Sequence, residues 1–250
     1  TPLSEDAMTG VGIGAALAGL RPIYVHQRMD FLLLCMNQLI NMAAKIRYIS
    51  SGEHSVPLVV RAAIGRSWGQ GAQHSQALHS LFCHIPGIKV VAPTTPHDAK
   101  GILTSSIRDN NPVIFIEHRM LYKNAGFVPT HPYELPIGKG RILKEGNDIT
   151  ILGVSFTVEE SLKAAELLNE VGVNAEVIDP ISLSPIDYDL IRNSVNKTKK
   201  LLVVDNAWSK FGFASEVITD VSLNVENCIS KRLGFAETPC PTTPSLEKYF

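Results

Sequence analysis

Apolar residues in this chain fall into short unbroken runs, separated by longer segments in which they recur every third or fourth position. Runs at "RPIYV", "VPLVVRAAI", "GIKVVAP" and "NPVIFIEH" predict strands buried on both faces. Between them, Met8–Leu20 is rich in Gly and Ala and predicts a helix that packs its backbone closely. A stripe at Leu32, Leu33, Met36, Leu39, Ile40 and Ala43 predicts a second helix over Leu32–Ile49. "TPHDAKGILTSSIRD" predicts a third, with Thr94 or Thr95 as its cap and Pro96 in its first turn. The pattern lapses between Tyr122 and Gly138, where three prolines interrupt it. It then restarts with strands at "DITILGVS", "NAEVIDP" and "KLLVVDNA". Helices alternate with them at "TVEESLKAAELLNEVG", where Thr157 marks the start and Gly172 the stop, at "SPIDYDLIRNSVNKT", and around Ala214–Leu223. Such alternation predicts an α/β protein of mostly parallel sheets: a first domain over 1–122, a linker over 123–138 and a smaller α/β domain over 139–250.

Composition narrows the function classes. The net charge of −1 and pI near 6.7 give no electrostatic support to a nucleic-acid or polybasic membrane role. The apolar run "FLLLCMNQLI" is broken by Asn37 and Gln38 and is too short to cross a bilayer. No basic segment precedes an apolar core in the manner of a secretory leader. Cys35, Cys83, Cys228 and Cys240 form no CxxC, so free thiols in a reducing, cytoplasmic setting are expected, although an even count also permits disulfides.

Several familiar chemistries lack their motifs. Gly10, Gly12, Gly14 and Gly19 do not spell GxGxxG, and neither a P-loop nor a GxSxG elbow occurs. The histidines are not spaced for zinc. More unusual is "GRSWGQGAQHSQ", in which Gly65, Gly69 and Gly71 permit close backbone approach or positive φ ahead of His74. A loop after a buried parallel strand lies at the sheet's carboxyl edge, where α/β ligands bind. By itself His74 reads equally as a hydrogen-bonded structural histidine or as a catalytic one. Glu5, just ahead of the small-residue helix, reads by position as a capping acid.

Taken in order, "TPLSE", "LRPI", "NQLINMAAK", "SVPLVVR", "GAQHSQ", "PGIKVVAPTTPHDAKGIL" and "SIRDNNPVIFIEHRMLY" resemble one family. It is the beta subunit of the thiamine-diphosphate-dependent first component of 2-oxo-acid dehydrogenases, a relative of transketolase. The likeness continues more loosely through "PIGKGRILKEGNDITILGVS", "VIDPISLSPID", "LLVVDNAWSKFGFASEV" and "PCPTTPSLEKYF". It implies a pyrimidine-binding domain with helices on both faces of its sheet, followed by a transketolase C-terminal-like domain. It implies that Glu5 contacts the ring nitrogen of the cofactor's aminopyrimidine, a task that needs an acid of tuned pKa beside a planar base. It implies that Phe31 stacks on that ring and that His74 stands at the active-site mouth. A structural potassium ion is implied on Leu58, Ser106, Ile107, Asp109 and Asn111, mainly through backbone oxygens.

The chain departs from the family pattern in places. "HQRMDF" puts His26 and Arg28 where the family carries an acid and aromatics. Arg66 and Trp68 enter the loop before His74, either to meet a substrate carboxylate, phosphate or ring, or as surface anchors. An upstream segment with a strand and a "GE" pair is expected before Thr1, so a trimmed chain is expected. These departures resemble a branch associated with sugar or surface-polysaccharide synthesis, which would take a ketose in place of a 2-oxo acid. A non-catalytic assembly subunit is a third reading. The family's "GDG…N" motif, which holds diphosphate through magnesium, does not occur here and belongs to an alpha subunit. The resemblance therefore implies half a site within an α2β2 assembly, with Leu32–Ile49 at the beta–beta contact and Asp205 and Trp208 near an interface.

Overall fold

The computed structural model describes residues 2–250. In chain order its first half comprises α1 (Glu5–Leu17), β1 (Ile23–His26), α2 (Ala44–Ile49), β2 (Val59–Ile64), α3 (His79–Cys83), β3 (Lys89–Val91), α4 (Pro96–Arg108) and β4 (Val113–His118). Its second half comprises β5 (Arg141–Lys144), β6 (Ile149–Gly153), α5 (Phe156–Glu170), β7 (Ala175–Asp179), β8 (Ser182–Ser184), α6 (Tyr188–Thr198), β9 (Lys200–Trp208), α7 (Phe213–Asn224), β10 (Ile229–Phe235) and α8 (Pro244–Glu247). The strands form two five-stranded sheets, ordered β1-β2-β4-β3-β8 and β10-β9-β6-β7-β5. All pairings are parallel except β3 with β8 and β5 with β7.

The expected α/β alternation is present, and three strands beyond it were not legible. β5 and β10 are mixed polar segments at sheet edges, and β8 is three residues long. β8 lies in the second half of the sequence yet completes the first sheet, so the two halves share a sheet boundary. They also share a core: one apolar cluster runs from Met29, Leu32 and Leu39 through Phe82 to Leu152, Ile178, Phe213 and Val217. At the seam, buried His79 and Asp205 meet through Nε2 and Oδ2 at 3.1 Å. The proline-rich stretch is no loose tether. Leu135 and Ile137 pack on a second cluster with Val59, Ile102 and Phe115, and the Tyr133 hydroxyl donates to the His97 carbonyl at 2.6 Å.

The predicted helix over Leu32–Ile49 is corrected in detail. A 3₁₀ segment covers Met29–Cys35, a π-type segment Gln38–Ala43, and α-geometry holds only at α2. Here α1 packs alongside: a Cβ on Gly10 would lie 3.6 Å from the Gln38 side chain, and one on Gly12 3.6 Å from Leu58, while one on Gly14 would meet nothing within 4 Å. These are ordinary contact distances, so the small residues are not forced by lack of space. Helix starts also sort themselves. Thr95, not Thr94, caps α4 by accepting from the Asp98 N–H at 3.2 Å. Thr157 does not cap α5, whose N-cap is Ser155; its hydroxyl bonds Val154 N and Val204 O, both at 2.7 Å.

One buried acid has a predictable cost. Asp179, at the end of β7, accepts from the Ile181 N–H at 3.0 Å, while its second oxygen has no hydrogen-bond partner. Burial pushes its carboxyl up to about 6, with nearby Asp98 adding to the rise and Arg141 opposing it. A carboxyl raised in the folded state binds an extra proton there between roughly pH 4 and 6. Its contribution to stability is therefore lost as pH climbs through that window. Asp179→Asn retains the oxygen that Ile181 uses and removes the charge. It is expected to raise unfolding free energy by about 2 kcal/mol at pH 8 and by little at pH 4.5, measured by urea titration at both.

Candidate active-site cleft

β1, β2 and β4 run parallel and adjacent, so His26, Ile64 and His118 end them on the same edge of the first sheet. Chains leaving those ends enclose an open cleft of about 700 Å³. The segment after β1 contributes His26, Gln27, Arg28 and Phe31; the glycine-rich loop after β2 contributes Gln70 and His74; β4 and the turn after it contribute Glu117, Arg119 and Tyr122; and β2 itself contributes Arg61. Residues separated by more than forty positions in sequence are thus brought together. The Phe31 and His74 rings meet edge to face, with centroids 5.3 Å apart.

Glu5 opens α1, and its charge is felt at β1. The Tyr24 hydroxyl is pushed up, mainly by burial, then by Cys35, with Glu5 adding to the rise. Burial lowers the His26 imidazole, and Glu5 opposes that shift. Glu5 therefore stands beside the β1 wall but is not among the residues lining the cleft. Ser4, the N-cap of α1, makes no side-chain capping bond. His26 is buried, and its Nε2 has no hydrogen-bond partner.

The opposite wall was not foreseen. Arg61 Nε donates to Glu117 Oε1 at 2.6 Å, and the Tyr122 hydroxyl donates to Glu117 Oε2 at 3.0 Å. Burial, followed by the Glu117 charge, pushes the Tyr122 phenol up to about 12. A charged residue inside each of two otherwise apolar strands, "VVRAAI" and "VIFIEH", was the available signal. Behind them His118 is held down to about 4 by burial and by Arg28, which keeps it neutral. Its Nδ1 accepts from the Met120 N–H at 3.2 Å, and its ring stacks on Phe156 with centroids 4.9 Å apart. Gly65, at φ +113°, makes room for it: a Cβ there would lie 3.0 Å from the imidazole.

Two expected substrate residues lie elsewhere. Arg66 donates to the Glu247 carbonyl at 2.6 Å and spans the Phe235 and Phe250 rings, so it ties the glycine-rich loop to the C-terminal segment. Trp68 is 52% exposed and stacks under the Arg119 guanidinium at 4.6 Å, outside the cleft lining. The Arg66 guanidinium finds a carbonyl and two rings in the surrounding chain, and the Trp68 ring finds a guanidinium. Of the five potassium positions, Ser106, Ile107, Asp109 and Asn111 lie at the end of α4 and in the turn after it, and Leu58 just before β2; the Arg21 guanidinium sits at that turn. Arg21 donates to the Ile107 and Asp109 carbonyls at 2.8 and 2.9 Å. The Leu58 carbonyl accepts from the Val113 N–H at 2.9 Å. Among the described residues no cluster of three His, Cys, Asp or Glu side chains could hold a metal. Asp205 is buried in the seam between the halves, and the Trp208 Nε1–H donates to the Thr238 carbonyl at 3.0 Å.

Comparison with known proteins bears on the fold and the family. Residues 1–124 match the transketolase pyrimidine-binding domain, and residues 138–250 match the transketolase C-terminal domain. The chain is 42% identical over 253 residues to the beta subunit of acetoin:2,6-dichlorophenolindophenol oxidoreductase of Cupriavidus necator, covering 100% of this chain and 75% of that protein. It is 42% identical over 258 residues to the 2-oxoisovalerate dehydrogenase beta subunit of Bacillus subtilis, covering 100% and 78%. It is 42% identical over 251 residues to the pyruvate dehydrogenase E1 beta subunit of Porphyra purpurea, covering 99% and 76%. A solved split-gene transketolase, described as an inactive beta4 tetramer, shares the fold with a TM-score of 0.81 at 24% identity, covering 99% of this chain and 77% of that one.

Proposed function

The chain belongs to the beta subunits of thiamine-diphosphate-dependent 2-oxo-acid dehydrogenases, within the transketolase superfamily, and on that premise we propose that it supplies the pyrimidine half of a cofactor site completed by an alpha partner. The observation that carries this is the meeting of His26, Phe31 and His74 at one sheet edge, with Glu5 beside it. An aromatic face, a buried imidazole nitrogen without a partner and a carboxylate on the same side suit a planar aminated heterocycle. When bound, thiamine diphosphate supplies the carbon nucleophile that attacks a substrate carbonyl. Phe31 packs against the ring and orients it. Glu5 holds a proton at the ring nitrogen. His74, at the mouth, exchanges protons with substrate or acceptor.

Diphosphate and magnesium fall to the partner, because this chain has no GDG…N motif. Self-association uses the exposed apolar residues Leu33, Leu34, Met42, Tyr48 and Ile49. Four free thiols suit a reducing compartment such as the cytoplasm, and no helix among the described residues is long and apolar enough to cross a membrane. A 2-oxo-acid enzyme is favoured over a sugar-transferring one by the 42% identity to beta subunits named for 2-oxoisovalerate and pyruvate. A cofactor-free assembly role is opposed by the intact cleft.

The test is titration with thiamine diphosphate and magnesium, followed by calorimetry, on the chain alone and on its complex with an alpha-type partner. Saturable binding is expected only in the complex. A complex that binds no cofactor, or a partner that does not associate, overturns the proposal.

A further inference from the structure

Relatives at the same 42% identity are named for acetoin, 2-oxoisovalerate and pyruvate, so overall similarity does not choose the substrate. Acetoin is neutral, whereas the 2-oxo acids are anions. The cleft has a property that bears on this difference. Three guanidinium groups, Arg28, Arg61 and Arg119, line it against a single carboxylate, Glu117. Glu117 is committed: Arg61 and the Tyr122 hydroxyl occupy both of its oxygens.

Arg28 is the unusual member. It is only 5% exposed, yet it lines the cleft. One terminal nitrogen, Nη2, donates to the Gly65 carbonyl, while Nε and Nη1 are buried without a hydrogen-bond partner. A buried guanidinium with two free donors is costly unless an acceptor meets it. Its neighbours do not supply one. Asp30 lies close enough to favour the charged form; its Oδ1 accepts from Gln76 N at 3.2 Å and Gln76 Nε2 at 2.9 Å, and its Oδ2, buried and without a partner, makes no hydrogen bond to Arg28. Arg119, on the facing wall, adds positive potential and is held flat against Trp68. Beside them His26 presents another unpartnered buried nitrogen. The two free donors of Arg28 belong to different forks of the guanidinium, Nε with Nη2 along its side and Nη1 with Nη2 at its end, so a planar anion would meet one of them together with Nη2.

We propose that Arg28, supported by Arg119, binds the anionic group of the reacting molecule, a carboxylate or a phosphate, and so selects charged substrates over neutral hydroxyketones. This rests on the assignment of the cleft as the cofactor's pyrimidine side and adds what that assignment leaves open. The free nitrogens of Arg28 donate to the anion. Arg119 closes the rim from the Trp68 side and raises the local potential. No bond is made or broken at either residue; both position the substrate.

The experiment uses the complex with its alpha partner, loaded with thiamine diphosphate. Steady-state KM and kcat are measured for pyruvate and 2-oxoisovalerate, for a ketose phosphate, and for acetoin. Calorimetric cofactor affinity is measured in parallel. Arg28→Met is expected to raise KM for the anionic substrate about tenfold to a hundredfold, while cofactor affinity and acetoin KM stay within about threefold. Arg28→Lys, which keeps the charge but loses the fork, is expected to recover part of the loss. Arg119→Met, at the half-buried rim where folding is not at stake, is expected to raise the same KM by about threefold to tenfold. A deficit confined to the 2-oxo acids identifies a carboxylate, and one confined to the ketose phosphate identifies a phosphate.

Equal effects on acetoin and on the anions overturn the inference, as does an unchanged KM in both variants. Loss of partner association in Arg28→Met, with normal kinetics in Arg119→Met, also overturns it, since the guanidinium would then serve a carboxylate of the partner. If the wild-type complex binds no thiamine diphosphate, the assignment of the cleft fails first. If it binds the cofactor but the variants behave as wild type, only the anion assignment fails.

Discussion

Replacing Glu5 by Gln is expected to lower turnover of the assembled, cofactor-loaded complex by about two to four orders of magnitude, the range of a positioned proton-transfer group. The substitution keeps the length and one carbonyl oxygen of the side chain and removes the ability to carry an acid proton. Cofactor affinity should change little, because Phe31 packing and the partner's hold on the diphosphate are untouched. The competing account is that Glu5 serves only the start of α1. It lies in the first turn with Asp6, and Ser4 makes no side-chain cap, so both acids interact with the helix N-terminus. That interaction is worth about 0.3–1 kcal/mol of stability and would leave kcat alone. Measuring kcat, cofactor binding and thermal stability on one preparation separates the two. A large fall in kcat with intact binding and a small stability change supports the proton role. Full turnover in Glu5→Gln leaves Glu5 as a helix residue only.

The largest structural effect is expected at Gly87. This residue adopts φ +98°, and a Cβ there would fall 2.1 Å from the Ala44 carbonyl oxygen and 3.0 Å from its carbon. The obstacle is backbone, so no rotamer change relieves it. Lys45 Nζ also donates to the Pro86 carbonyl at 3.0 Å, which fixes the loop against the start of α2. Gly87→Ala therefore meets a positive-φ penalty and a forced separation of loop and helix together. A loss of about 3–5 kcal/mol in unfolding free energy is expected from urea titration. Gly172→Ala is the control: φ is +80° there, but nothing lies within 4 Å of a Cβ, so only the conformational part, about 1 kcal/mol, is expected. Equal losses at the two sites would mean that the close approach at Gly87 does not matter. The contact has reach, because α2 continues the helical stretch that begins beside Phe31.

Local signatures made the strands legible, because strand burial acts over a few neighbouring positions, but not the site roles. By position Glu5 reads as a helix acid and His74 equally as a structural or a catalytic histidine, and the roles proposed for them follow from ordered motifs along the whole chain. Arg66 and Trp68 show the limit. Both are plausible substrate residues by type and by their place in the loop. Arg66, however, turns to the Glu247 carbonyl 181 positions away, and Trp68 to Arg119. Arg61, Glu117, Arg119 and Tyr122 show the converse: a lone charge inside each of two apolar strands marks Arg61 and Glu117, but that they meet depends on β2 and β4 pairing in register.

The sequence by itself determined the α/β alternation, the parallel strands and the kinship, since periodicity and ordered motifs need no knowledge of contacts. Tertiary structure alone decided that Ser182–Ser184 completes the first sheet and that the stretch over Leu32–Ile49 passes from 3₁₀ through π to α geometry. It also decided that Arg28 is buried facing the cleft with free donors while Arg66 is not. The physical reason is common to these cases. Which partner satisfies a long polar side chain, and where an edge strand pairs, depends on groups distant in the chain that only folding brings within hydrogen-bond range.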